Sequence, residues 1–265
     1  MQDTTEERKI NGKKIAIIVC VCIAAVFLLA KVVVPNYKYR AALNAYMALD
    51  GYTRAEKVDS ERELLKCARV GDSVYFGSYW QTGKKEDMEA IEWRVLAKED
   101  NKILVISQYI LEEEPYDEQK SENVTWETCT LRGWLNSTFF HIAFCADERS
   151  MILSSKVTAD KNPDYDDIDP GNDTTDKVFL LSISETEKYF YWAYKRKCDM
   201  TDHVCAQQFY YYKINGHPYG TWVLRTPGVY SCASVSTDGL INSSGRYDLY
   251  ASSGIRPAMW ISLDD

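Results

Sequence analysis

Five aspartates, Asp164, Asp166, Asp167, Asp169 and Asp173, stand within ten residues. Such a run offers hard oxygen ligands, and calcium is the metal that chemistry suits, given six to eight oxygens from a shaped loop. The glycine and closing glutamate of an EF-hand are not at the required positions, so a solvated acidic loop competes with a calcium site. Cys198, His203, Cys205 and His217 carry the ligand types of zinc, but C-x4-H-x-C-x11-H is not a familiar zinc spacing. No nucleophile elbow, H-E-x-x-H helix or glycine-rich phosphate loop occurs, so the sequence nominates no catalytic residue.

Arginine and aromatic side chains are the stronger lead. Arg225 and Arg256 could present guanidinium forks to a carboxylate or a sugar hydroxyl. They could equally pair with internal carboxylates, Glu92 and Asp238 being candidates, and pin two strands. Tyrosine is abundant, with 19 in the chain and 7 Trp beside them. Rigid rings with a polar tip stack on sugars and anchor protein contacts. Tyr210, Tyr211 and Tyr212 are consecutive, and three adjacent side chains cannot all point inward. The ligand-binding set expected from these patterns is Tyr211, Tyr212, Tyr219, Trp222, Arg225 and Tyr230. The second aromatic cluster, Tyr189-Phe190-Tyr191-Trp192, ends a helix and is expected to lie half in the core.

The elements that must carry these residues divide along the chain. Residues 15–34 read IAIIVCVCIAAVFLLAKVVV, twenty residues with one charge, which matches the length of a membrane-spanning helix. Lys31 can reach the interface along its own stem. Arg8, Lys9, Lys13 and Lys14 precede the run and give a small basic excess on the N-terminal side, which favours a cytoplasmic N-terminus. A cleaved signal peptide is the rival reading, but Leu28 is large for the position three before a cleavage at Ala30. The expected layout is a cytoplasmic tail (1–14), a single-pass transmembrane helix (15–34), a helical stalk (36–66) and an extracytoplasmic domain (67–265).

In the last of these, alternation over Val74, Phe76 and Trp80, then Ile91–Leu96 and Ile103–Ser107, predicts an antiparallel meander. Helices are expected after Thr125 and Asp147, and another from Ser184, whose Glu187 would complete a capping box. Val178–Ile183 reads as a buried strand. Strands return at Thr221–Arg225, Ala233–Ser236, Leu240–Asn242 and Arg256–Leu263, with a hairpin turn at Asp238-Gly239. The class is therefore α+β, a mixed domain with antiparallel sheets and two or three helices. Net charge is −8, which excludes nucleic acid as a natural partner. Six cysteines lie beyond the apolar run; Cys198 and Cys205, in a polar stretch, are the pair best placed for a disulfide, whereas Cys129 and Cys145 fall on apolar helix faces as free thiols.

Several ordered segments carry a resemblance. They are Gly71–Gly77 (GDSVYFG), Ile91–Leu96 (IEWRVL), Trp126–Asn136 (WETCTLRGWLN), Lys177–Ser182 (KVFLLS), Trp222–Gly228 (WVLRTPG) and Gly254–Trp260 (GIRPAMW). Together they resemble the bacterial domain family of unknown function numbered 6273, over roughly Val70 to Leu263. Members of that family often follow a membrane anchor and a short helical repeat. Its closing motifs are similar to those of C-type-lectin-like domains, a fold that includes sugar binders, protein binders and formylglycine-generating oxidases. The resemblance implies a membrane-anchored binding module for a glycan or protein ligand at the cell surface. The alternatives are an extracytoplasmic enzyme related to those oxidases and a structural envelope protein. Cys232 stands alone late in the domain, where the oxidases need a redox pair. Thr221 replaces a Trp common in the family.

Overall fold

The computed structural model describes residues 17, 20–21, 23–49, 51–84, 88–119, 123–207, 213–245 and 253–264. The chain divides into two compact units, Met1–Asp50 and Gly51–Asp265.

The first unit is helical from its described apolar residues through a π-helical turn at Leu29–Val33 into α1 (Val34–Met47). Pro35 sits in the first turn of α1, where its missing amide costs nothing. Ile17, Val21, Ile23, Val26, Phe27, Leu28 and Leu29 are all exposed. Among the described residues no helix is long and apolar enough to cross a membrane. Residues 15, 16, 18, 19 and 22 of the expected span lie outside the described residues.

The second unit opens with α2 (Arg54–Cys67), started by a capping box in which Glu56 accepts from the Thr53 amide. The helical stretch expected as one stalk over 36–66 is thus divided between the units. Leu64 and Leu65 are fully buried, and Arg54 grips Glu148 on α5 (Ala146–Met151) at 2.7 Å.

Two sheets form the frame. The first has the order β1-β2-β3-β13, made by Ser73–Trp80, Met88–Lys98, Lys102–Ser107 and Ala258–Ser262, all antiparallel. The expected meander is its first three strands. The second has the order β11-β10-β9-β12-β4 (Ile241–Asn242, Cys232–Val235, Trp222–Pro227, Ser253–Ile255, Glu112–Glu114). Only β9 and β12 run parallel in it. Arg256-Pro257 carries the chain from the second sheet into the first, so Arg256 stands at the corner between them.

Short helices cover the sheets: α3 (Thr130–Trp134), α4 (Phe140–Ala143), α5, α6 (Ile183–Tyr189), α7 (Ala193–Arg196) and α8 (Asp202–Gln207). Two further ladders are small, β5 (Ser155–Val157) with β6 (Thr174–Asp176) and β7 (Cys198–Asp199) with β8 (Tyr219–Gly220). The mixed α+β class holds, with more helices than the two or three expected, because several are single turns too short to show a period. The stretch 178–183 is buried but not a strand. It makes one isolated bridge, Phe179 to Ala258, and then Ser182 caps α6 by accepting from Glu185. The capping box therefore begins two residues before the expected Ser184, since the Ser182–Glu185 pair satisfies the same pattern. Cys145, not Asp147, caps α5.

Candidate functional site

The site grows from the end of α6. Its last residue is followed by Phe190, which leaves helical geometry and turns into the core. Tyr191 and Trp192 then emerge at 75% and 59% exposure, and Tyr194 on α7 follows at 62%. Large rings at such exposure cost solvation unless something else recovers it, so three within four residues mark a surface with a task.

The backbone beneath them is held from four directions. Arg196 reaches back and donates through Nε to the Phe190 carbonyl (2.8 Å) and through Nη2 to the Tyr191 carbonyl (3.1 Å). Trp222, wholly buried in β9, donates its indole N–H to the Arg196 carbonyl at 3.0 Å. The Lys195 amide donates to the Trp192 carbonyl at 2.9 Å. Gly239, in the β10–β11 turn with φ +88°, lies so close that a Cβ there would stand 1.9 Å from the Ala193 carbonyl oxygen. Because the rings project from a fixed platform, a ligand need not freeze the loop on binding. Tyr191 and Trp192 meet edge to face, centroids 4.9 Å apart.

Lysines accompany the neighbouring rings. Lys188 lies 4.9 Å from the Tyr189 ring, Lys195 5.4 Å from Tyr194 and Lys197 5.3 Å from Tyr219. Tyr219 in turn stacks on His217, whose Nδ1 is 2.9 Å from Asp199 Oδ2. Lys197 also faces Asp238, whose carboxyl is held below its ordinary range by the Ser236 hydroxyl first, then the Leu240 amide, with a smaller part from Lys197. The surface is thus a belt from Tyr219 through Lys197 and the Asp238-Gly239 turn to Ala193 and the exposed rings.

Of the residues expected from the sequence, Tyr219 joins this belt. Tyr230 is exposed on the β9–β10 connection. Tyr210, Tyr211 and Tyr212 lie outside the described residues. Trp222 and Arg225 are both buried. Arg225 is tied to Glu185 and lies 3.5 Å from Asp160, and donates to the Leu180 carbonyl at 2.9 Å. Arg256 is buried as well, donating through Nε to the Ser107 carbonyl at 2.8 Å. The partners are therefore neither Glu92 nor Asp238. Carbonyls, ring faces and two other carboxylates surround the guanidiniums, while Arg225 Nη2 and Arg256 Nη1 are buried without a hydrogen-bond partner among the described residues.

Among the described residues no group of three or more His, Cys, Asp or Glu side chains is arranged to hold an ion. Two of the calcium candidates have protein partners. Asp173 pairs with Lys156 (2.8 Å) and accepts from the Ala159 amide (2.9 Å), and Asp169 accepts from the Gly171 amide (3.0 Å). Cys198, His203, Cys205 and His217 do not converge either. Cys198 and Cys205 are both buried and no disulfide joins them, so the expected pair is not formed; they sit in the core as small side chains.

Two buried clusters contain reactive group types. Glu112 Oε2 accepts from the Tyr79 hydroxyl (3.0 Å) and lies 3.2 Å from His203 Nε2, which is 2.7 Å from Gln207 Nε2. Tyr79 and Trp80 wall this cluster, and burial pushes the Tyr79 hydroxyl up, so it fastens α8 to β1 and β4 rather than meeting solvent. Cys129, Cys232 and Tyr116 form the other. Burial pushes the Cys129 thiol up to about 12 and the Cys232 thiol well above its ordinary value. Thiols so raised are poor nucleophiles.

The sequence reading missed the forward half of the belt. Tyr191 and Trp192 were placed with the helix, yet the helix ends before them. The available signal was Tyr194, one helical turn from Tyr191 and flanked by Lys195, Arg196 and Lys197, a combination unsuited to a core face.

No curated protein and no solved structure matches the chain. A family model described as "Domain of unknown function (DUF6273)" matches residues 100–263, so the motifs at 71–77 and 91–96 fall outside the matched span. That span takes in more than half of the chain, including both closing arginine motifs and the whole aromatic belt, and the protein belongs to the DUF6273 family.

Proposed function

We propose that this protein is a membrane-anchored, extracytoplasmic binding module whose ligand is a glycan. The observation that carries the reading is the rigidly braced trio of exposed rings, Tyr191, Trp192 and Tyr194. Ring faces of this kind stack on the apolar faces of sugars, while the phenol and indole tips remain wet. Among the large apolar side chains of 188–197, only aromatics are exposed. The buried thiols at Cys129 and Cys232 are poorly suited to oxidase chemistry. A lectin-like descent of the fold, drawn from the closing motifs, belongs to this proposal.

The anchor is the apolar run 15–34. Exposed Ile17, Val21, Ile23, Val26 and Phe27 on a helix support it, since water is a costly neighbour for an unbroken apolar surface. The basic residues before the run favour a cytoplasmic N-terminus.

The test is a glycan array probed with the full chain in detergent and with its Trp192→Ala variant. Binding by the parent and loss of at least about tenfold in the variant is expected, as for a central aromatic contact. Equal binding by both would refute the site. Protease added to intact cells should remove residues 51–265 and leave a membrane-bound fragment; a protected domain would refute the placement.

A further inference from the structure

We propose that the glycan taken by this belt is anionic, a polysaccharide carrying carboxylate or phosphate groups; this rests on the binding reading given above. In a chain of net charge −8, residues 188–197 hold Lys188, Lys195, Arg196 and Lys197 and no acidic residue. Arg196 is consumed by the Phe190 and Tyr191 carbonyls. The three lysines remain, and among the described residues none of them makes an ion pair within 4 Å, although Lys197 faces the Asp238 carboxylate.

Their placement is the second half of the argument. Each ammonium lies beside a tyrosine ring, at 4.9, 5.4 and 5.3 Å from Tyr189, Tyr194 and Tyr219. Ring contact holds the charge near the surface without neutralising it. The rings of Tyr191 and Trp192 carry no lysine among the described contacts, so their outer faces are the ones open to a sugar. A saccharide lying along the belt then meets apolar faces at its middle and ammoniums on both flanks. Neutral sugars use the first feature only; an acidic polysaccharide uses both, and successive acidic residues can engage separate lysines at once. An acidic membrane surface shares the charge and also draws interfacial Tyr and Trp, so the vesicle arm of the test separates it from an acidic polysaccharide.

Binding is measured by affinity electrophoresis of the full chain in detergent against polygalacturonate, dextran and phosphatidylglycerol vesicles. The variants are Trp192→Ala and the triple change Lys188→Gln, Lys195→Gln, Lys197→Gln, of which the first two positions are exposed and the third half-buried. The expected result is retention by polygalacturonate that weakens with added salt and falls at least about tenfold in the triple variant, with little retention by dextran. Equal retention by dextran, or a triple variant that binds as the parent does, overturns the anionic inference and leaves glycan binding standing. Retention by the vesicles alone overturns it in favour of a lipid surface. Failure of both polysaccharides and of the array overturns the binding reading itself.

Discussion

The guanidinium of Arg256 stands 5.0 Å over the indole of Trp222. Phe190 covers its other side at 5.1 Å, so a buried cation at the corner between the two sheets is balanced by ring faces and the Ser107 carbonyl instead of a carboxylate. The same Trp222 turns its N–H outward to the Arg196 carbonyl beneath the exposed rings. One tryptophan thus couples the interior arginine to the surface platform.

Removing that cation should be costly. Arg256→Ala leaves two facing rings around a void and the Ser107 carbonyl without its donor. A loss of about 3–5 kcal/mol is expected, in the range for buried charged networks. Urea unfolding followed by tryptophan fluorescence measures it; a midpoint within error of the parent would show that the stacked geometry contributes nothing.

Gly239 should be irreplaceable for local reasons. Alanine there meets both a positive φ of +88° and the Ala193 carbonyl at 1.9 Å. The β10–β11 turn must retreat, and the platform loses one of its braces. A stability loss of about 1–3 kcal/mol is expected, with faster hydrogen exchange in 191–197. Unchanged exchange in that segment would dissociate the turn from the platform.

Stability should decline as pH rises from neutral into the alkaline range. Glu61 is buried against Glu148, near Arg54 and Lys57, and its pKa is raised from 4.5 to about 9, by burial first and by the Glu148 charge second. The unfolded chain releases that proton near its ordinary value, and the folded one retains it until about 9. Folding therefore binds a proton throughout the interval, so the stabilisation present at acid pH is lost progressively between the two values. Glu61→Gln, which keeps the hydrogen-bonding shape without the charge, should flatten this slope. A parent whose melting temperature is constant from pH 6 to pH 9 would contradict the assignment.

Thiol labelling should follow burial. Cys67 is half-buried on α2 and should react with iodoacetamide well before Cys129 and Cys232, which are buried with raised pKa values. Peptide mass spectrometry on the native protein reads the order. Early modification of Cys232 would instead favour a reactive centre there.

The meander, the Asp238-Gly239 turn and the strand carrying Arg225 were legible in the sequence because each has a local cause: alternation, a turn dipeptide, a run of apolar residues. Three features were not. The segment 178–183 has strand composition but finds only one bridge, to Ala258 at the start of the edge strand β13, which Ile152 also bridges further along at Ile261. Trp222 and Arg225 look like surface ligands by residue type, and only the packing of β9 between β10 and β12 shows that they are enclosed. Exposure of Tyr191 and Trp192 depends on Phe190 breaking the helix to reach Arg256, a contact with a residue 66 positions away that no local pattern reveals.

The most direct test of the central claim is hydroxyl-radical footprinting of the full chain with and without a bound polysaccharide. Tyr191, Trp192, Tyr194 and Tyr219 should be protected together, and Tyr52, an exposed ring of the same domain away from the belt, should not change. Protection that falls elsewhere while these four remain fully oxidised would contradict the account.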